Sequence, residues 1–144
     1  MCMPAESPCI LIVDDEASVR DSLYQWFTTD GYRVDTADEA TTALKKLQDN
    51  LWDIILLDIK MPGMDGIEVL KEIKRNYPLI EVIMLTGHAS LEIAREGMKL
   101  GAFDYLMKPI DLDELLYKLE DAYQKKTIQQ HKIKNIEGVI ESRK

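Results

Sequence analysis

Asp14 and Asp15 follow the apolar run Cys9 to Val13, Asp58 follows Ile54 to Leu57, Thr86 follows Val82 to Leu85, and Lys108 follows Tyr105 to Met107. If those runs are parallel strands of an open α/β sheet, their carboxyl ends form the edge where such sheets bind ligands, and the five residues converge there. Three carboxylates on one edge repel one another and raise at least one pKa unless a cation neutralises them. Carboxylate and carbonyl oxygens suit a hard divalent cation whose remaining positions go to water and a phosphate. Mg2+ is therefore the expected ion, in preference to any soft metal.

Taken singly, each residue has an ordinary role. An acidic pair between strand and helix caps the helix; Asp58 opens the turn at Pro62-Gly63; Thr86 ends a strand in water; Lys108 fills an exposed loop before a proline. Their coincidence at four of five strand ends is what points to a single site.

The elements that must position them form a repeated βα unit, because short continuous apolar runs alternate five times with helical periodicity. Ile10 to Val13 is the first strand, and Val19, Leu23, Trp26 and Phe27 form one face of a helix that Gly31 ends. Tyr32 to Ala37 alternates like a strand with one wet face. Asp38 is the expected cap of a second helix burying Ala40, Ala43, Leu44 and Leu47. Ile54 to Leu57, apolar on both faces, belongs in the middle of the sheet.

Met61-Pro62-Gly63-Met64-Asp65-Gly66 is turn chemistry before a third helix that buries Ile67, Leu70 and Ile73. Val82 to Leu85 is the fourth strand. Ser90 is the expected cap of a fourth helix that reaches Leu100, stops at Gly101 and is weakened inside by Gly97. Tyr105 to Met107 is the fifth strand. Asp111 with Glu114 resembles a capping box opening a fifth helix with Leu112, Leu115, Leu116, Leu119 and Tyr123 on one face. Crossovers through helices make the strands parallel and place helices on both sides. The expected fold is a doubly wound, five-stranded parallel α/β sheet.

Asp14-Asp15, Asp58 within Leu57-Asp58-Ile59-Lys60-Met61-Pro62-Gly63-Met64-Asp65-Gly66, Thr86-Gly87 and Lys108-Pro109 together resemble the receiver domain of bacterial two-component response regulators. The resemblance spans Cys9 to about Tyr123. It implies a flavodoxin-like domain phosphorylated on one aspartate by a partner histidine kinase. Carried onto this sequence, it makes Asp58 the phosphoacceptor, with Asp14 and Asp15 holding Mg2+, Asp15 more directly, and the Lys60 carbonyl completing the protein ligands. It gives Thr86 and Lys108 contacts to the phosphoryl oxygens, Tyr105 a change of rotamer on activation, and the Lys108-Pro109 bond the cis form. Lys60 and His88 fall where the family varies and tunes dephosphorylation. Met61 to Gly66 and Thr86-Gly87-His88-Ala89 look most like receivers of nitrogen-regulation-type transcription activators.

An aspartate nucleophile with Mg2+ also serves phosphohydrolases, but there a second acid near the nucleophile acts as general acid and base. Lys60, two residues after Asp58, is normally charged and cannot fill that role. A phosphorylation-independent interaction module is the other alternative, and the complete set of site residues argues against it. The domain is thus expected to be a regulatory switch that catalyses only its own phosphoryl transfer and slow dephosphorylation.

Eighteen basic and 26 acidic side chains give a formal charge of −8. Residues 124–144 hold six basic and two acidic side chains, and the first 123 residues carry 12 basic against 24 acidic. Such an acidic body repels a nucleic-acid backbone. No apolar run exceeds five residues, so neither a membrane span nor a signal peptide is expected. Cys2 and Cys9 are the only cysteines; they suggest neither a disulfide framework nor a thiolate zinc site, and a reducing cytoplasm is the expected compartment. The expected organisation is a tail over 1–8, a receiver over 9–123 and a basic helical extension or linker over 124–144, with no effector module after Tyr123. A seven-residue repeat through Leu112, Leu119, Lys126, Ile133 and Ile140, with Leu115, Ala122, Gln129, Ile136 and Arg143, predicts that the last helix runs on as an arm. A homodimer through that arm and the face of the fourth helix, fifth strand and fifth helix is expected. The polar break near Lys126 is expected where the helix leaves the core.

Overall fold

The computed structural model describes residues 8–63 and 65–142. Five strands, β1 (Cys9–Val13), β2 (Arg33–Ala37), β3 (Ile54–Asp58), β4 (Glu81–Thr86) and β5 (Asp104–Met107), form one sheet in the order β2-β1-β3-β4-β5. Every pairing is parallel. Helices α1 (Ala17–Thr29), α2 (Ala40–Asp49), α3 (Gly66–Asn76), α4 (Leu91–Lys99) and α5 (Leu112–Ser142) connect or follow them. This is the expected doubly wound α/β fold. No helix among the described residues is long and apolar enough to cross a membrane.

The inner strands β1, β3 and β4 are largely apolar on both faces because both faces are covered. Leu11, Val13, Ile55, Leu57, Val82 and Met84 point into a core shared with α2, α3 and α4. Ile10, Ile12, Ile54, Leu56, Ile83 and Leu85 point the other way, against Leu23 and Phe27 of α1 and Leu115, Leu119 and Ala122 of α5. Strand periodicity of two thus feeds two separate cores.

Two expected caps are corrected. Glu39, extended at φ −151° and ψ 164°, takes the N-cap position of α2 without a side-chain cap bond, so Asp38 lies one residue too early to serve. Ser90 does hold the N-cap position of α4, but a short 3-10 turn over His88–Ser90 precedes it and its hydroxyl makes no cap bond. Asp111 caps α5 by accepting the Asp113 and Glu114 N–H groups at 2.9 and 3.2 Å. Glu114 instead pairs with Lys118 at 3.0 Å, so half of the box forms. Gly31 ends α1 at φ +88° as expected.

Two glycines mark close approaches. A Cβ on Gly66 would lie 2.5 Å from backbone atoms of Ile59, so α3 begins hard against the chain leaving β3. A Cβ on Gly97 would collide with the sulfur of Met84, which explains a glycine that seemed only to weaken α4. Cys9 is disulfide-bonded, a correction to the reading of the cysteines; Cys2 lies outside the described residues. Lys126 is itself buried and is the last buried side chain among the described residues of α5, so the helix leaves the core just after it and runs on unbroken.

Candidate functional site

Strand order and register assemble the site. The connections of β1 and β3 leave in different directions, which opens a crevice at their carboxyl ends. Val13 is registered against Leu57, so Asp14 and Asp58 emerge side by side. Asp58 is registered against Leu85, and Thr86 against Met107, which brings Thr86 and Lys108 to the same edge. The Lys108 N–H donates to Thr86 O at 2.8 Å, fixing the first residue beyond β5. The Lys108-Pro109 peptide is cis.

Asp14, Asp15, Glu16 and Asp58 each offer a carboxylate oxygen, all within 4.8 Å of one another. Asp14 and Asp58 are buried, whereas Asp15 and Glu16 face solvent. Lys108 Nζ stands among them, 2.9 Å from Asp14 Oδ2, 2.9 Å from Glu16 Oε1 and 3.3 Å from Asp58 Oδ2. Asp14 Oδ2 nevertheless receives no well-directed hydrogen bond, so its contact with the ammonium is ionic only. A buried carboxylate oxygen without a directed donor, beside three further carboxylates, fits a hard divalent cation.

The backbone holds the acids in place. Asp14 Oδ1 accepts the Glu16 N–H at 2.9 Å, and Arg20 Nη1 donates to Asp14 O at 2.8 Å. Asp58 Oδ1 accepts the Lys60 N–H at 3.0 Å. Burial pushes the Asp58 carboxyl above its ordinary pKa; the Lys60 N–H opposes this, the charge of Asp14 adds to it, and Lys108 opposes it. For Lys108, burial works against the charge, but its close contacts with Asp14 and Glu16 and the fields of Asp14 and Asp58 outweigh it. The ammonium is held above the ordinary lysine range.

Thr86 is buried and donates its hydroxyl to Gly87 O at 3.1 Å. Tyr105 is half-buried against the core shared with α2, α3 and α4, with Lys118 Nζ 5.5 Å from its ring centre. The Lys60 side chain is exposed. His88 begins the short 3-10 turn after β4, and its side chain lies outside the described part of the structure. Glu16 and Arg20 did not stand out in the sequence. Glu16 extends the run Asp14-Asp15, which was the available signal; nothing local marks Arg20, which reaches Asp14 from the first turn of α1.

The response regulator receiver domain family matches this chain over residues 10–120. The chain belongs to that family. This receiver is 43% identical over 120 residues to the transcriptional regulatory protein ZraR of Klebsiella oxytoca, covering 83% of this chain and 27% of that protein. It is 46% identical over 106 residues to the regulatory protein AtoC of Escherichia coli K12, covering 74% of this chain and 23% of AtoC. The receiver thus spans about a quarter of the length of these relatives. Among solved structures it resembles a receiver domain protein from Clostridium thermocellum, with a TM-score of 0.81 and 35% identity, covering 85% of this chain and 98% of that one. It also resembles NtrX from Brucella abortus, with a TM-score of 0.83 and 31% identity, covering 91% of this chain and 30% of NtrX.

Proposed function

We propose that this receiver is a phosphoacceptor switch of a two-component system, taking a phosphoryl group on Asp58 from a sensor histidine kinase. The observation that carries the reading is the placement of Asp58: a buried carboxylate at the end of a central strand, with Lys108 at 3.3 Å and three further acids around it. Mg2+ would be held by Asp14, Asp15, Asp58 and the Lys60 carbonyl, and when bound it supplies charge neutralisation and orientation of the phosphoryl oxygens. An Asp58 oxygen attacks phosphorus in line as the bond to the donor imidazole breaks, and the imidazole leaves with its electron pair. Lys108 offsets the charge that gathers as the two anions approach.

The product is an acyl phosphate, with three strong acceptor oxygens where a carboxylate stood. Thr86 must give up its bond to Gly87 O to donate to one of them, and Lys108 binds another. That inward pull frees space beside Tyr105, whose ring turns inward and reshapes the face formed by α4, β5 and α5. This face controls homodimerisation or an effector. Residues 9–123 form the switching unit and 124–144 the arm to its output, in keeping with a relative named as a transcriptional regulatory protein. The protein acts in the cytoplasm, with neither nucleic acid nor membrane as partner of this segment, and it turns over no external substrate.

The test is to incubate wild type and Asp58→Asn with acetyl phosphate and Mg2+ and read intact mass. One phosphate on wild type and none on the variant is the expected result. Equal labelling refutes the assignment, and rapid turnover of a phosphomonoester by wild type would favour a phosphohydrolase instead.

A further inference from the structure

Two adjacent lysines of α5 grip the sheet at the edge opposite the candidate site. Lys126 Nζ lies 2.6 Å from Asp53 Oδ1, with the two side chains 9% and 14% exposed. The other Asp53 oxygen accepts the Cys9 N–H at 2.7 Å. Lys125 Nζ lies 3.1 Å from Oε2 of the buried Glu81, and Lys74 takes the other Glu81 oxygen at 3.3 Å. Asp53 precedes β3 and Glu81 opens β4. The two strands that carry Asp58 and Thr86 at one end are therefore tied at the other to consecutive residues of one helix.

Apolar packing alone does not choose where α5 sits along the sheet. Its inner stripe is Leu115, Leu119 and Ala122, all buried. A slip of about one turn, three residues, would put Leu112 where Leu115 lies, Leu116 where Leu119 lies and Leu119 where Ala122 lies, apolar in either register. What such a slip cannot preserve is Lys126 opposite Asp53, because a buried charge without its partner is costly. Buried ionic and polar pairs are well suited to fixing a helix in one register.

We infer that the Asp53–Lys126 pair, backed by Glu81–Lys125, is a register pin that fixes where α5 leaves the sheet and hence the direction of its extension. Residues 127–142 continue as about 24 Å of helix, so a small change at the pin is magnified at the far end. The exposed Ile133 and Ile136 ride on that extension. Lys125 and Lys126 are positioning residues, and their effect is on geometry.

Spin labels carried by ketone-bearing unnatural amino acids at the exposed positions Lys45 and Lys134 leave the cysteines untouched and report the body-to-extension distance in the full chain. Wild type is expected to give one narrow distribution. Asp53→Asn with Lys126→Met removes both charges; it should melt cooperatively yet give a broadened distribution or a second population displaced by about 5 Å, one helical turn. A lowered Tm with an unchanged distribution means that the pair only adds stability, and overturns the pin. Lys125→Met, on a side chain 47% exposed, keeps the fold and reads the same distance. It should broaden the distribution less; if the double variant does not fold, this variant alone decides, and an unchanged distribution overturns the inference. No phosphodonor is present, so the result is independent of the role of Asp58.

Discussion

Lys108 Nζ lies 3.3 Å from Asp58 Oδ2 although 50 positions separate the two in sequence. The contact is built through the backbone: Thr86 O holds the Lys108 N–H, and β4 is registered so that Leu85 stands beside Asp58. A cation is thereby held next to a carboxylate that burial pushes above its ordinary pKa. On the proposed reading, the attraction a phosphoryl group needs is in place before the group arrives.

Asp58→Asn is expected to melt higher than wild type at pH 7 in EDTA. The folded-state pKa of Asp58 lies above its ordinary value of 3.8, so the folded protein holds that proton more tightly than the unfolded chain. Its contribution is favourable below 3.8 and is lost as pH rises through the raised folded value, so the ionised group costs stability at neutral pH. A gain of about 3 °C corresponds to roughly 1 kcal/mol in a domain of this size. The gap should shrink toward pH 4 and in saturating Mg2+; a variant that melts lower at pH 7 in EDTA contradicts the argument.

Alanine at Lys60 or His88 is expected to change the lifetime of the acyl phosphate while leaving Tm within about 1 °C. Each lies two residues beyond a site residue, Lys60 after Asp58 and His88 after Thr86, where the proposed switch would tune the attack of water on the acyl phosphate. Autodephosphorylation followed by intact mass measures this. Unchanged lifetimes in both variants would reduce them to solvated loop positions.

Gly66→Ala should destabilise the fold by about 2–3 kcal/mol, because the added methyl meets the Ile59 backbone, which cannot rotate away. Gly63→Ala is the control: its site is open, and only its left-handed φ of +70° carries a cost, about 1–2 kcal/mol. Urea denaturation of both ranks the effects, and equal midpoints would show that the loop yields where the geometry says it is tight.

Sedimentation of the full chain and of a version ending at Tyr123, each with and without beryllofluoride, tests the arm. The full chain should associate more strongly with beryllofluoride, and the shortened one should remain monomeric. The shortened version should also melt lower, because it strips Lys126 from Asp53 and Lys125 from Glu81, which keeps only Lys74. Four identical monomers would remove the dimer from this account.

The strands and the convergence of Asp14, Asp58, Thr86 and Lys108 were legible because both follow from local pattern: an apolar run, then a polar residue at its end. Cap positions were less legible. Asp38 and Glu39 are both plausible before an apolar stripe, and one residue of extended backbone decides between them. Least legible were partners set by tertiary packing. Lys126 looked like a polar interruption of a heptad seam until Asp53, 73 positions away, was placed opposite it. Gly97 carried a recognisable helix penalty, but its benefit belongs to Met84 on another element.

Gly66 and Gly97 give the molecule two mechanically different flanks. At Gly66 one helix bears on rigid main chain, a hard stop that ties the loop after β3 to α3. At Gly97 the nine-residue α4 rests on the thioether of Met84, an unbranched and polarizable side chain that readily adopts other rotamers. Compliance is therefore concentrated on the α4 flank. Strain introduced at the carboxyl edge of the sheet should dissipate there, as a roll of α4 over its sulfur bearing, while the α3 flank stays still as the anvil.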